Sequence, residues 1–290
     1  MGWRTVVVRN HSKLSYRNNH LLYQSAERSE QIHLSEIDSL ILETTNISIT
    51  TMLLKCLVDW KIAVIFCDEK ALPIAGLTPF CARYDSSLAL RQQLSWAQER
   101  KEAAWIAILK QKISNQSSFL LKAGYQEAAA NVKQYQEVLT TNDVTNCEAH
   151  AARMYFATLY GNQFSRQLNN DLNAALNFGY SLILSLFARE IAVCGCALQL
   201  GLQHSNQFNP YNLASDLMEP FRVLIDVIVF ANKEESFCLL KPKLLSVFEE
   251  TYLYNGQQCY LTNIVREYVR NFIKFLNGVE ENIPIFTYEF

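Results

Sequence analysis

The sequence predicts an α+β protein of two domains: a small N-terminal β-sandwich-like domain over residues 1–75, a linker over 76–83, and a larger all-α domain over 84–290. Three observations predict it. Up to residue 75, short β-branched and alternating runs are separated by turn residues. The passage Leu72-Pro73-Ile74-Ala75-Gly76-Leu77-Thr78-Pro79 then gathers two of the six prolines with a glycine, a boundary composition. Beyond it the apolar period changes to about 3.6 and stays there.

In the first part, Val6-Val7-Val8, Leu14-Ser15-Tyr16, His20 to Gln24, Gln31 to Leu34, Ser39 to Leu42 and Ile47 to Ile49 read as strands. Arg17-Asn18-Asn19 is turn-like. Strands this short predict an antiparallel sandwich. Thr50 or Thr51 caps one helix carrying Leu53, Leu54, Leu57, Val58 and Trp60, and Ala63 to Cys67 is a buried strand. Helices follow near 84–112, 117–140, 146–160, 173–200, 214–231, 236–254 and 260–277. The longest apolar one is expected to stop at Gly201. The tail Ile283-Pro284-Ile285-Phe286 is extended at best.

Half the 290 residues are apolar and 12% aromatic, enough for a sizeable core and against wholesale disorder. The formal charge is −2, so a nucleic-acid binder of this composition must concentrate its positive charge locally. The start reads as a first strand and not as a signal peptide. Eight cysteines form no Cys-x-x-Cys pair, which points to a reduced, cytoplasmic protein. Leu176 to Leu202 could pass for a membrane span, but Arg189-Glu190 in its middle would be costly in lipid, so a core helix and no membrane partner are expected. No Gly-x-x-x-x-Gly-Lys, Gly-x-Gly-x-x-Gly, Gly-x-Ser-x-Gly or His-Glu-x-x-His run occurs, which removes the usual warrant for nucleotide hydrolysis, dinucleotide redox, serine hydrolysis and zinc proteolysis.

Chemistry-bearing residues concentrate between Thr145 and Arg222. Glu148, His204, Asp216 and Glu219 offer one imidazole and up to three carboxylates, a donor set suited to a divalent cation if folding brings them together. Each has a plainer alternative. Thr145-x-x-Glu148 matches a capping box. His204 sits in a polar loop where a hydrogen-bonded histidine is ordinary. Asp216 and Glu219 could complement a helix dipole or pair with Arg222. Basic residues gather at Arg83, Arg91, Arg100, Lys101, Lys110 and Lys112, at Lys241 and Lys243, and at Arg266, Arg270 and Lys274. These are either solvated helix faces or the wall of a phosphate groove.

Three features together resemble the family of CRISPR-associated spacer integrases. They are Glu148 with Arg153, Tyr155 and Phe156; the Leu-Asn-x-x-Leu-Asn-x-Gly-Tyr run from Leu172 to Tyr180; and His204 followed by Asp216-Leu217-Met218-Glu219-Pro220-Phe221-Arg222. Many members carry glycine after the first glutamate, where this chain has Ala149-His150, and aspartate where it has Glu219. These variants look like the type II branch, which accompanies a single large RNA-guided nuclease.

The resemblance implies a metal-dependent DNA endonuclease and integrase that joins 3′-hydroxyl ends of short spacer DNA to a repeat array. It maps the metal ligands for Mg²⁺ or Mn²⁺ onto Glu148, His204 and Glu219, with Asp216 as supporting acid. DNA contacts would come from Arg153, Arg222, Arg83, Arg91, Lys241, Lys243, Arg266 and Arg270. It further implies a homodimer joined through the β domains, double-stranded DNA as donor and target, and a small companion Cas protein bridging two dimers. The type II effector nuclease and other adaptation proteins are further partners of that branch. Two other readings stand beside it: a hydrolytic metal nuclease and a non-catalytic helical adaptor.

Overall fold

The computed structural model describes residues 2, 4–69, 73–77, 85–139 and 146–289. The chain divides into two compact units, Met1–Ala82 and Arg83–Phe290.

The first unit contains β1 (Arg4–Val8), β2 (Ser12–Arg17), β3 (His20–Gln24), β4 (Ser29–His33), β5 (Ile37–Leu42), β6 (Ile47–Ile49), α1 (Thr51–Asp59), β7 (Ala63–Cys67) and β8 (Pro73–Gly76). They form two four-stranded sheets, ordered β1-β5-β7-β8 and β4-β3-β2-β6. One core serves both: Leu40, Leu42 and Val64 from the first sheet meet Leu14, Leu21 and Ile32 from the second, with Leu53 and Leu57 of α1. Asn18 and Asn19, both at positive φ, turn β2 into β3, and the Thr50 side chain accepts from the Leu53 N–H to cap α1.

The antiparallel expectation needs correction. β1–β5, β5–β7 and β2–β6 are parallel pairs. Parallel neighbours need long crossovers, and the chain supplies them: β2 to β4 lie between β1 and β5, and β6 with α1 between β5 and β7. Strand β5 is buried at all six residues, as a strand covered on both faces must be. The first unit also runs past residue 75. Pro73 opens the edge strand β8, where its missing N–H costs no ladder bond, and Gly76 closes it.

The second unit holds α2 (Ser86–Leu94), α3 (Gln98–Lys122), α4 (Gln126–Glu137), α5 (Cys147–Tyr160), α6 (Asp171–Val193), α7 (Asn212–Leu217), α8 (Arg222–Ala231), α9 (Phe237–Leu244) and α10 (Leu261–Leu276), with a 3-10 turn over Glu219–Phe221. It is not all-α: β9 (Thr251–Tyr254) and β10 (Gln257–Tyr260) pair as an antiparallel hairpin. Asn255 and Gly256, both at positive φ, make the turn whose twist matches the strands, so the helix expected to reach 254 cannot continue. Helix α6 stops at Val193, with Gly195 at φ 80 and not Gly201 following it. It is long and apolar enough to cross a membrane by composition, but 67% of its apolar window is buried inside the fold. Its Glu190 is paired with Arg189 at 2.8 Å.

Two features of this unit bear on the site. The helix expected over 214–231 breaks at Pro220, which lacks an N–H and crowds the preceding turn. Beneath that break Phe221 is fully buried, stacked on Phe286 at 3.9 Å and edge-on to Phe187 at 5.1 Å and Tyr268 at 5.0 Å. The tail is therefore more than extended. Phe286 donates its N–H to Gln111 at 2.8 Å, and Asn115 donates to the carbonyls of both Pro220 and Phe286.

Candidate active site

Helix α3 organises the site. Trp105, Ile108, Leu109, Lys112 and Ile113 follow helical spacing and are all buried, so a lysine occupies a position on the apolar stripe. Its ammonium lies 2.6 Å from Glu148 Oε1 and 2.7 Å from Glu219 Oε2. Glu148 comes from the first turn of α5 and Glu219 from the 3-10 turn before α8. The two carboxylates meet at one cationic atom, so their oxygens are no farther apart than these contacts laid end to end.

The other oxygen of Glu219 accepts from Arg222 Nη2 at 2.9 Å. The Arg222 guanidinium stacks 4.6 Å above the Tyr180 ring. Tyr180 in turn donates its hydroxyl to buried Asp226, which also accepts from Tyr155 at 2.9 Å. Burial alone would raise the Glu219 carboxyl, but the charges of Arg222 and Lys112 overturn it and hold it down at about 2. Burial likewise works against the Lys112 ammonium, and the two glutamates outweigh it, so Lys112 stays charged. At Asp226 burial prevails: it pushes the carboxyl up to about 6 against the two tyrosine hydrogen bonds and the charges of Arg222 and Arg166.

His204 is fixed from a different side. Asp216, fully buried on α7, accepts the backbone N–H of Leu202 at 2.6 Å, of Gln203 at 3.2 Å and of His204 at 3.3 Å, and also pairs with His204 Nδ1. An oxygen pair that only accepts forces Nδ1 to carry the proton, so Nε2 presents its lone pair in the neutral ring. The ring stands edge-on to Trp105 at 5.7 Å. The hydrogen bond to Asp216, opposed by burial, raises the His204 imidazole, and the charges of Asp216, Glu219 and Glu148 add to it. Gly201 permits this wrap: a Cβ there would come within 2.4 Å of the His204 carbonyl oxygen and 2.8 Å of Asp216 Oδ2. A cavity of about 650 Å³ opens beside His204, with Trp96, Lys101 and the exposed Phe208 on its wall.

The structure thus brings Glu148 and Glu219 together, attaches Asp216 to His204, and sets Arg222 on Glu219. The capping-box partner Thr145 lies outside the described residues; the N-cap is Asn146, and the Glu148 carboxylate goes to Lys112. Among the described residues no three His, Cys, Asp or Glu side chains stand close enough to hold a metal ion as they are. The donor chemistry nonetheless fits one. Glu219 Oε2 is buried with the Lys112 ammonium 2.7 Å away as its partner, and its place beside Glu148 is already a cation position.

The basic residues divide. Arg91, Arg153 and Arg270 are exposed. Arg83 lies outside the described residues. Lys241 is corrected from surface to interior: it is 8% exposed, with its ammonium 5.3 Å over the Phe178 ring. Lys243 pairs with Glu235 at 2.6 Å, and Arg266 lies 3.6 Å from Glu190. Lys112, Trp105, Asn115 and Asp226 were not singled out for the site from sequence. Lys112 carried a signal, a charge on an apolar stripe.

The fold has solved counterparts. It is shared with a casposase bound to an integration product (16% identity, TM-score 0.76, 97% of this chain and 92% of the other) and with a Cas1 protein from Thermotoga maritima (14%, 0.73, 99% and 100%). It also matches a chain of a Cas6-RT-Cas1–Cas2 complex (16%, 0.76) over 98% of its own residues, while spanning only 36% of that chain. The chain belongs to the CRISPR associated protein Cas1 family, whose model matches residues 5–236. Among curated relatives, a CRISPR-associated endonuclease Cas1 from Neisseria meningitidis serogroup C is 34% identical over 79% of this chain and 75% of its own length.

Proposed function

We propose that this chain is a Mg²⁺- or Mn²⁺-dependent integrase of CRISPR adaptation, joining the 3′-hydroxyl ends of short spacer duplexes to a repeat array. One observation carries the reading: Glu148 and Glu219 converge on a single cation position in the unit where Asp216 holds His204 with Nε2 free. Glu148, Glu219 and His204 Nε2 would hold the ion. Bound there, it would polarise a phosphodiester and favour the alkoxide form of an attacking hydroxyl. The chain's own residues do the remainder. Asp216 fixes the imidazole, Arg222 orients Glu219, and the exposed Arg91, Arg153 and Arg270 offer charge to DNA phosphates, so affinity falls as salt rises.

In the reaction one P–O bond forms to the incoming 3′ oxygen and one breaks to the target strand's own 3′ oxygen. The latter leaves with a proton, so bonds are conserved and no nucleotide energy source is needed. The names of the similar proteins support the reading: an endonuclease, a casposase with its integration product, and a Cas1–DNA complex (15% identity, TM-score 0.59, 93% of this chain and 91% of the other). The partners follow from the same reading: double-stranded DNA, a second copy of this chain, a small companion Cas protein, and the type II effector with its adaptation proteins.

The test is a strand-transfer assay of duplex ends on a supercoiled repeat plasmid with Mg²⁺ or Mn²⁺. Joined product that disappears in Glu148→Ala, His204→Ala and Glu219→Ala is expected. Joining that survives all three substitutions overturns the proposal. Nicking without joining points to a hydrolytic nuclease, and DNA binding without any metal-dependent product to an adaptor.

A further inference from the structure

We propose that Lys112 is a built-in stand-in for the divalent cation, its ammonium holding Glu148 and Glu219 together until an incoming ion displaces it. This rests on the metal-dependent reading above and adds to it the exchange of one cation for another.

Four observations carry it. First, the ammonium is 2.6 and 2.7 Å from one oxygen of each acid, and it joins two separate elements, Glu148 on α5 and Glu219 on the 3-10 turn before α8. Divalent ions with carboxylate ligands take similar places at about 2.0–2.6 Å, so the acids need only close slightly around a smaller ion. Second, charge is balanced: Lys112 and Arg222 face Glu148 and Glu219. A dication added with Lys112 still in place would lie against that ammonium, a repulsion between like charges that is costly where Lys112 and Glu219 are buried.

Third, the two cations differ in freedom. Arg222 is stacked on Tyr180 and bonded to the opposite oxygen of Glu219, whereas Lys112 is a point charge on a four-carbon stem that can swing. The site therefore releases the lysine and keeps the arginine. Fourth, the ammonium is the polar partner of the buried Glu219 Oε2, so that oxygen is open to an incoming ion once the lysine moves away. An ammonium so displaced stays tethered on α3 beside the reacting centre, placed to pair with a phosphate oxygen of bound DNA.

Mn²⁺ binding is measured by loss of the free-ion electron paramagnetic resonance signal, without DNA, for wild type and Lys112→Met. The variant is expected to bind on the order of tenfold more tightly, because the competing charge is gone. A lysine with a merely structural role predicts the reverse, since its loss would scatter the two acids. Equal or weaker binding by Lys112→Met overturns the proposal while leaving the metal reading intact. No Mn²⁺ binding by either protein sinks both. Should the variant fail to fold, wild-type protein decides: reductive methylation read by mass spectrometry should modify Lys112 with Mn²⁺ present and spare it without. Protection unchanged by Mn²⁺ overturns the exchange.

Discussion

The loop that carries His204 offers the sharpest test of how the site is built. Asp216→Asn keeps the shape of the side chain and removes its charge. The native carboxylate accepts four N–H groups, two on each oxygen: those of Leu202 and Gln203 on Oδ2, and the backbone and Nδ1 of His204 on Oδ1. An asparagine has one acceptor oxygen, so two of the four donors lose their partner and face an NH₂ group instead. An orphaned buried donor costs roughly 1–3 kcal/mol. Leu202 is buried while Gln203 and His204 are exposed, so the variant should lose about 1–3 kcal/mol, which for a unit of this size is a fall in Tm of roughly 2–10 °C.

The imidazole reports the same change independently. The bond to Asp216 is the largest cause of its raised pKa, so the His204 signal in an NMR titration should move down in the variant. The native raised value means that His204 contributes stability fully below its unfolded pKa and loses it as pH rises through the folded one. A Tm within about 1 °C of wild type, with an unmoved His204 titration, would refute the idea that Asp216 holds this loop.

Three further outcomes follow from the same geometry. Gly201→Ala places a Cβ within 2.4 Å of the His204 carbonyl oxygen, so it should cost on the order of 1–3 kcal/mol in urea unfolding and cut metal-dependent joining, whereas a neutral result would mean the wrap relaxes freely. Phe286→Ala removes a fully buried ring from the stack on Phe221 and should cost roughly 3–5 kcal/mol, with a loss of Mn²⁺ affinity as the Glu219 turn loosens. Glu219 has a folded pKa lowered from 4.5 to about 2, so its contribution is complete above pH 4.5 and lost as pH falls toward 2; it is worth roughly 3 kcal/mol, and Glu219→Gln should flatten the stability profile over that window.

Local pattern made part of this molecule legible. The strands of the first unit, α1 with its Thr50 cap, and the start of α5 follow from side-chain period and turn residues. Strand direction did not, because a short buried strand reads alike in parallel and antiparallel sheets, and Asp38 and Ser39 hide from the sequence that β5 is buried at all six residues. The β9–β10 hairpin was missed: Asn255-Gly256 is a turn pair, but the surrounding apolar spacing fits the helix expected over 236–254. At the site, the family pattern picked out Glu148, His204, Asp216 and Glu219, while their local settings read equally as cap, loop and dipole partners. The attachment of Asp216 to His204 and the tying of the tail to Gln111 and Asn115 are long-range meetings that no local window contains. Lys112 was visible as a charge on an apolar stripe, yet its partners lie 36 and 107 residues on.

One cation shared by three side chains from different elements is the centre of the proposed site. The measurement that tests it most directly is an anomalous-diffraction structure of crystals grown with Mn²⁺. The account predicts a manganese peak at about 2.0–2.6 Å from carboxylate oxygens of Glu148 and Glu219 and from His204 Nε2, with the Lys112 ammonium moved off both acids. A peak elsewhere, with Lys112 still between the two carboxylates at saturating Mn²⁺, would contradict it.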